Sequence, residues 1–423
     1  MKPLRIGLLG IGTVGGGTFD VLARNAEEIS RRAGRPITIT HVADKNTTLA
    51  NQVVAGRAVV TDDAFALVKN PDIDVIIELI GGYTIAKQLM LEAINNGKHV
   101  VTANKALLAL HGNEIFGAAR AKGVIVAFEA AVAGGIPIIK ALREGLVANR
   151  IEWIAGIING TTNFILSEMR SKGLAFADVL KEAQAKGYAE ADPTFDIEGV
   201  DAGHKASILA SLAFGIPLSF DKAHVEGITK IEAKDIRYAE EMGYRIKLLG
   251  IARRRAAGIE LRVHPTLIPT KRLIANVEGV MNAVLVKGDA VGATLYYGAG
   301  AGAQPTASAV IADLVDIARL IDADASHRVP YLAFQHDRIG TEPVLPMDEV
   351  ETSYYLRLRV DDKPGVLADI TRVLADNSIS IDAMLQKEPE EGESQADIIL
   401  LTHETIEKNV KRAIAAIEAQ AST

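Results

Sequence analysis

The chain of 423 residues contains no cysteine. It therefore carries no disulfide and no thiolate nucleophile, and every aldehyde oxidation that passes through a thiohemiacetal is excluded. Basic residues are not in excess either, since 46 Lys and Arg stand against 53 Asp and Glu for a net charge of −7. Nucleic acid is excluded as a partner on that ground, because phosphate binding needs clustered cations. Long apolar runs are missing: the opening "MKPLRIGLLGIGTVGGG" is broken by glycine too early for a signal sequence, and no later stretch reaches membrane-spanning length. No membrane partner is expected, and a reducing cytoplasm is the expected location. The nine histidines are scattered, without the spacing of a metal site.

With 48% hydrophobic and 23% charged residues, the chain is a soluble globular protein too long for a single core, and two or three domains are expected. The segment "LRIGLLGIGTVGGGTFDVLARN" reads as a buried strand, a glycine-rich turn and a helix. Gly10, Gly12 and Gly15 supply G-x-G-x-x-G, which suits a tight turn, close approach of the backbone to a diphosphate, and strand-on-helix packing. The helix start at Thr13 and Val14 then offers free amides to the phosphates. A second strand, "ITITHVADKN", ends at Asp44 and Lys45. An acid there suits the ribose hydroxyl of NAD and a cation the 2′-phosphate of NADP, so both cofactors remain open. The runs "VIIELIGG", "KHVVTANK" and "VIVAFEA" alternate with helical segments, which gives an α/β, Rossmann-like, doubly wound parallel sheet. Thr102, Asn104 and Lys105 fall just past the carboxyl end of one strand, where ligands bind. A lysine in a first helical turn opposes the helix dipole unless an anion is near.

After Glu129, "AAVAGGIPIIKALREGL" is a glycine-rich loop leading into a helix, with Pro137 near its first turn. One carboxylate and several free carbonyls suit either a hard cation or an inter-domain turn. "RIEWIAGIINGTTNFIL" reads as a strand, a turn at Asn159 and Gly160, and a helix capped by Thr161 or Thr162. Then "GYAEADPTFDIEGVDAGHKASILASLAFG" gathers acids before a largely apolar helix that nevertheless holds Asp201 and Lys205, four residues apart on one face. They form either a surface ion pair or a proton-handling pair lining a cleft. "YRIKLLGIARR", "GIELRVHPTLIP" and "VMNAVLVKG" alternate as strands of a mixed sheet, and the loop Gly298 to Gly302 precedes a helix that Thr306 or Ser308 would cap.

Together "GIGTVGGG", "VTANKALLA", "FEAAVAGGIPII", "GIINGTTNFIL", "AKGYAEADPTFDIEGVDAGHKASILA" and "GAGAGAQPTASAV" resemble homoserine dehydrogenase, in that family's order and over roughly residues 4–325. The resemblance implies reversible NAD(P)-dependent interconversion of L-homoserine and L-aspartate 4-semialdehyde, a step in threonine, methionine and isoleucine biosynthesis. By the same matching Lys205 is the proton donor and acceptor, Lys105 the second catalytic cation and Asp201 their partner. Glu190, Asp196 and Gly187 fall on the substrate, with the two carboxylates around its amino group. Gly302 and Thr102 join the Gly10 to Gly15 loop, Asp44, Lys45 and Lys105 beside the cofactor. Glu129 and the carbonyls of Val132, Gly134 and Ile136 match a structural site for Na+ or K+. The family implies a homodimer or homotetramer, with the mixed sheet in the dimer interface.

Residues 1–130 are thus expected to form the dinucleotide-binding domain, completed by about 300–325, and 131–300 the substrate-binding and dimerisation domain. Residues 327–350 read as a linker, and 351–423 resemble an ACT domain, a ferredoxin-like module that often binds amino acids. That tail stops at Thr423, ahead of a fourth strand, so an open sheet edge is expected. Effector binding, with threonine as the effector the family suggests, stands beside a role in assembly. No kinase-like region is read ahead of the first strand, so the family's fusion to aspartate kinase is not expected. Aspartate semialdehyde dehydrogenase shares the semialdehyde and the cofactor but needs a nucleophilic cysteine. A non-catalytic nucleotide- and amino-acid-sensing protein is the second reading, disfavoured by the retention of Lys105, Lys205 and Asp201 together.

Overall fold

Short apolar segments, each followed by a connection that returns the chain to the same edge, build the first sheet. The computed structural model, which describes residues 2–387 and 394–420, contains β1 (Leu4–Leu9), β2 (Ile37–Ala43), β3 (Val59–Thr61), β4 (Val75–Glu78), β5 (His99–Thr102) and β6 (Val126–Ala127). They lie in the order β3-β2-β1-β4-β5-β6, every pairing parallel. The chain reverses direction across the sheet between β1 and β4, and that switch point opens a crevice at the carboxyl ends of the strands. Strand β3 escapes a reading of the sequence because it has only three residues and Val59 is exposed.

The second sheet contains β7 (Ile151–Ile157), β8 (His224–Val225), β9 (Tyr244–Arg254), β10 (Ile259–Pro269), β11 (Met281–Gly288) and β12 (Gly292–Ala299). Its order is β12-β11-β7-β9-β10-β8, antiparallel except where β8 joins β10. It is the mixed sheet the alternation implied, with β12 as an additional strand running into the Gly298 loop. The helices Gly160–Lys172 and Val200–Phe214 pack on it. Trp153, Ala155, Ile251, Leu285 and Leu295 stay half-buried, and Tyr297 is exposed.

The helix Ala303–Leu320 returns to the first sheet, where Ala307, Val310, Leu314 and Ile317 share a core with Leu4, Ile6 and Leu8. Neither Thr306 nor Ser308 caps it, since the cap position is Gly302. The turn of chain there lies so close to Gly17 that a Cβ on Gly17 would sit 2.7 Å from the Ala303 carbonyl oxygen.

The segment from 327 to 350 is strapped to the body rather than free. Arg328 donates to the Gly123 carbonyl at 2.6 Å, the Tyr331 hydroxyl donates to that of Val124, and the Tyr331 ring stacks on Phe116. Gly340 N–H donates to the Gly215 carbonyl at 2.6 Å, and Leu345 N–H to that of Ile259 at 2.8 Å. Beyond it β13 (Glu351–Thr352) pairs with Thr405–Ile406, and β14 (Tyr355–Asp361), β15 (Ile381–Gln386) and β16 (Gln395–Thr402) form an antiparallel sheet in the order β14-β16-β15, packed on the helices Val366–Asp376 and Glu407–Glu418. Residues 388–393 and 421–423 of the expected tail domain lie outside the described residues. The tail docks through Arg357 and Tyr355, which both bond the buried Asp235 carboxylate, at 2.6 and 2.9 Å. Among the described residues no helix is long and apolar enough to cross a membrane, and no group of three His, Cys, Asp or Glu is placed to hold a metal.

Replacing Gly17 with Ala forces the Ala303–Leu320 helix away from the first sheet. The expected cost is about 1–3 kcal/mol, read as a lower urea midpoint; an unchanged midpoint would refute the close approach.

Candidate active site

The helix Val200–Phe214 is buried nearly all round, which explains its apolar composition. Glycines in the left-handed region bound it: Gly199 precedes the first turn and Gly215 ends the last, with φ of 80° and 66°. Only two charged side chains are carried inward. Asp201 is 3% exposed, and its carboxylate meets Lys205 Nζ at 2.6 Å. The pair therefore lines a cleft and is not a solvated surface contact.

A third charge arrives from the other domain. Asn104 caps the helix Lys105–Lys122 by accepting from the Leu107 amide, and that cap sets Lys105 in the first turn. Lys105 Nζ lies 3.3 Å from the second oxygen of Asp201, so the anion that a lysine in that place requires is present across the domain boundary. Lys205 also donates to the Ile158 carbonyl at 2.8 Å. The Asn159 side-chain amide donates to Asp201 at 2.9 Å and to Asp196 at 2.7 Å, while its carbonyl oxygen accepts from the Thr162 amide. Asn159, not Thr161 or Thr162, is therefore the cap of the Gly160–Lys172 helix; Thr161 instead donates to the Tyr188 carbonyl and to Asp196.

Burial and charge set the proton affinities. Burial pushes Asp201 upward, but Lys205 and Lys105 outweigh it and hold the carboxyl well below the usual carboxylate range. Lys205 is pushed down, by burial first and by the Lys105 charge second, with Asp201 opposing both. Asp196 is pushed up by burial and by the Asp201 charge. His204, wedged between the rings of Phe195 and Phe220, is driven by burial down to about 4 and is uncharged near neutrality.

Lys105, Asn159, Thr161, Asp196, Asp201 and Lys205 line one cleft of about 580 Å³, together with Gly187, Glu190 and the Ala299 to Gly302 loop. Glu190 is exposed at its rim. Two glycine-rich loops meet behind it: a Cβ on Gly134, whose φ is 47°, would sit 2.4 Å from the Gly300 carbonyl oxygen. Asn282, buried against Gly300, ties that loop to β7 through the Ile157 carbonyl at 2.8 Å.

At the first glycine loop, a Cβ on Gly15 would fall 2.0 Å from the Gly10 carbonyl oxygen, whereas one on Gly12 meets nothing within 4 Å. The loop is closed on its packing side and open above Gly12 and Thr13, which leaves room for a diphosphate. Val14 is half-buried one residue on. Asp44 accepts from the Ile11 and Asn46 amides at 2.7 and 2.8 Å, and Lys45 beside it is exposed. Thr102 is fully buried; its hydroxyl donates to Glu78 and accepts from the Asn104 amide.

Comparison with known proteins follows this geometry. Residues 10–129 match the model of the homoserine dehydrogenase NAD-binding domain, 137–315 that of homoserine dehydrogenase, and 354–421 that of the ACT domain. The chain is 62% identical to a homoserine dehydrogenase of Pseudomonas aeruginosa, over 99% of this chain and 96% of that one. The chain belongs to the homoserine dehydrogenase family. A solved homoserine dehydrogenase from Thiobacillus denitrificans has 68% identity and a TM-score of 0.96, covering 100% of this chain and 96% of that one. A hyperthermophilic archaeal homoserine dehydrogenase, solved with NADPH, has 25% identity and a TM-score of 0.65 and covers 77% of this chain and 100% of its own. The family is one of NAD(P)-dependent oxidoreductases, and this member carries its NAD-binding domain.

Within this homoserine dehydrogenase fold Asn159, Glu78 and Asn282 are the site-forming residues that reasoning from sequence passed over as a turn, a strand end and a strand interior. Only the local Asn-Gly pair gave any signal for the first. Asn159→Ala removes a cap and leaves the buried Asp201 and half-buried Asp196 carboxylates short of a donor. We expect a loss of about 1–3 kcal/mol in chemical unfolding, accompanied by weaker substrate binding. Intact substrate affinity in that variant would show that Asn159 serves the helix alone.

Proposed function

We propose that this chain catalyses the reversible NAD(P)-dependent interconversion of L-homoserine and L-aspartate 4-semialdehyde. The observation that carries the reading is one buried carboxylate, Asp201, shared at 2.6 and 3.3 Å by two lysines from different domains. When bound, the nicotinamide cofactor supplies or takes the hydride. Lys205 moves the proton: as the neutral amine it accepts the hydroxyl proton of homoserine, and as the ammonium it returns that proton to the aldehyde oxygen. Lys105 keeps a positive charge beside the same oxygen and stabilises the alkoxide that develops there. Asp201 orients both amines and raises the proton affinity of Lys205 against burial. Asp196 and Glu190 receive the substrate ammonium, which relieves the repulsion that Asp196 feels from Asp201. Gly187, in left-handed backbone at φ 72°, turns the chain so that Tyr188 and Glu190 reach the cleft.

For the cofactor, Gly10, Gly12, Thr13, Val14 and Gly15 would hold the diphosphate, Gly302 would lie along its far side, and Asp44 with Lys45 would meet the ribose. That pair suits NAD and NADP alike. Thr102 would act at one remove, through Glu78 and Asn104. We infer self-association through the half-buried face of the second sheet around Trp153, Ile251 and Leu285, and threonine as the ligand of the ACT domain.

A monovalent ion, Na+ or K+, fits beside Glu129, Val132, Gly134 and Ile136. Glu129 is 1% exposed and bonded by the Ile139 and Lys140 amides, and burial pushes its carboxyl up. Its neighbour Asp313, which accepts from the Glu129 amide, is pushed up to about 8 by burial and by Glu129. Two buried carboxylates of raised proton affinity are what a cation would relieve.

Homoserine oxidation by wild type, Lys205→Ala and Asp201→Asn, measured across pH, tests the mechanism. The wild-type rate should rise with pH as Lys205 becomes neutral, and Lys205→Ala should lose about 10²- to 10⁴-fold while still binding cofactor. In Asp201→Asn the rise should move to lower pH, because the charge that raises the Lys205 proton affinity is gone, and the plateau should fall. Equal rates in wild type and Lys205→Ala would sink the assignment. For the ion, exchanging K+ and Na+ for tetramethylammonium should lower the melting temperature of wild type and leave that of Glu129→Gln unmoved. A wild type indifferent to the exchange would remove the ion site.

A further inference from the structure

A second cavity, of about 530 Å³, lies under the strap and shares no lining residue with the catalytic cleft. Its floor is the edge of the first sheet at Ile125 to Ala127, its sides are the ends of the helices Lys105–Lys122 and Ala303–Leu320, and its roof is the strap from Arg328 to Ile339. The volume falls within the roughly 300–1,000 Å³ of small-molecule sites. Phe116 and Tyr331, stacked at 5.3 Å, give it an aromatic wall, and Ile317, Leu320, Val329 and Ile339 an aliphatic one.

The charges around it do not balance. Four arginines and two carboxylates line the cavity. Both carboxylates are already paired: Glu144 with Arg143 at 2.8 Å, and Asp316 with Lys140 and Arg319. The Arg120 guanidinium has neither an ion pair nor a hydrogen bond among the described residues. Arg328 gives its terminal nitrogens to the carbonyls of Gly123, Ile321 and Ala323, while its Nε is buried without a partner. The exposed Arg120 guanidinium, with no protein anion against it and an apolar chamber beside it, is free to pair with an anionic oxygen carried on an apolar body.

We propose that this cavity binds a small amphipathic carboxylate, with its anionic head at Arg120 and its aliphatic or aromatic body against Phe116, Tyr331 and Val329. The occupant also bears on the strap. The Phe334 ring lies against Gly215, where an added Cβ would be 2.9 Å from it, and Gly340 bonds the Gly215 carbonyl, so the roof of this cavity is fastened to the end of the catalytic helix.

The test is calorimetric titration of 4-phenylbutyrate, with 4-phenylbutanol in parallel, into the full chain saturated with NADPH and homoserine so that the catalytic cleft is filled. We expect one saturable site per chain for the carboxylate and binding at least about tenfold weaker for the alcohol. Arg120→Gln should bring the carboxylate down to the level of the alcohol, and Val329→Trp, which fills the chamber from the strap, should abolish binding of both. Arg120 is a surface residue, so its variant keeps the test sound if the Trp variant folds poorly. No saturable binding, equal affinity for acid and alcohol, or indifference to Arg120→Gln would each overturn the proposal.

Discussion

One carboxylate holds the two halves of this molecule's chemistry together. Asp201 is buried, lies four residues from Lys205 on its own helix, and reaches Lys105 on a helix of the other domain. Burying the Asp201 and Lys205 charges costs several kcal/mol for each ion unless geometry and hydrogen bonds offset it. Here Asn159 and the Ile158 carbonyl supply those bonds. Under the proposed mechanism, an alkoxide forming between Lys105 and a protonated Lys205 would meet positive charge that Asp201 alone does not offset.

That arrangement requires the domains to meet closely, and small residues make the approach possible. The Gly134 loop lies on the Gly300 loop, and Gly17 lies on Ala303, at separations that no side chain tolerates. The second contact docks the Ala303–Leu320 helix into the first core, after the chain has already built the whole second sheet. Lys105 and Lys205 therefore face each other across a seam that the chain crosses more than once, and the seam rather than either domain defines the cleft.

Much of this was legible in the sequence because it repeats local rules. The glycine fingerprint, the alternation of buried strands with helices, and an ion pair on an otherwise apolar helix each follow from a period or a spacing. The elements that escaped had no such signal. Strand β3 is three residues long with an exposed Val59, and β12 is rich in Gly and Tyr, so neither shows the buried alternation of a core strand. Asn159 looked like a turn residue because a cap is a local property, whereas its bonds to Asp196 and Asp201 span 37 and 42 positions. The strap read as a linker for the same reason: its anchors at Gly123, Val124, Gly215 and Ile259 are all distant in sequence.

The catalytic helix gives these distant anchors a common meaning. Fifteen residues of helix make a rod of about 22 Å, with Asp201 in its first turn and Gly215 at its end. The first turn is held by the charge cluster, and the last is held by the strap through Gly340 and Phe334. From the strap the chain runs through the short strand Glu351–Thr352 into β14, which is bound to the body by Arg357 and Tyr355 on Asp235. A close-packed rod transmits displacement instead of absorbing it. The tail domain and the cleft, far apart along the sequence, are thus tied to opposite ends of the same element.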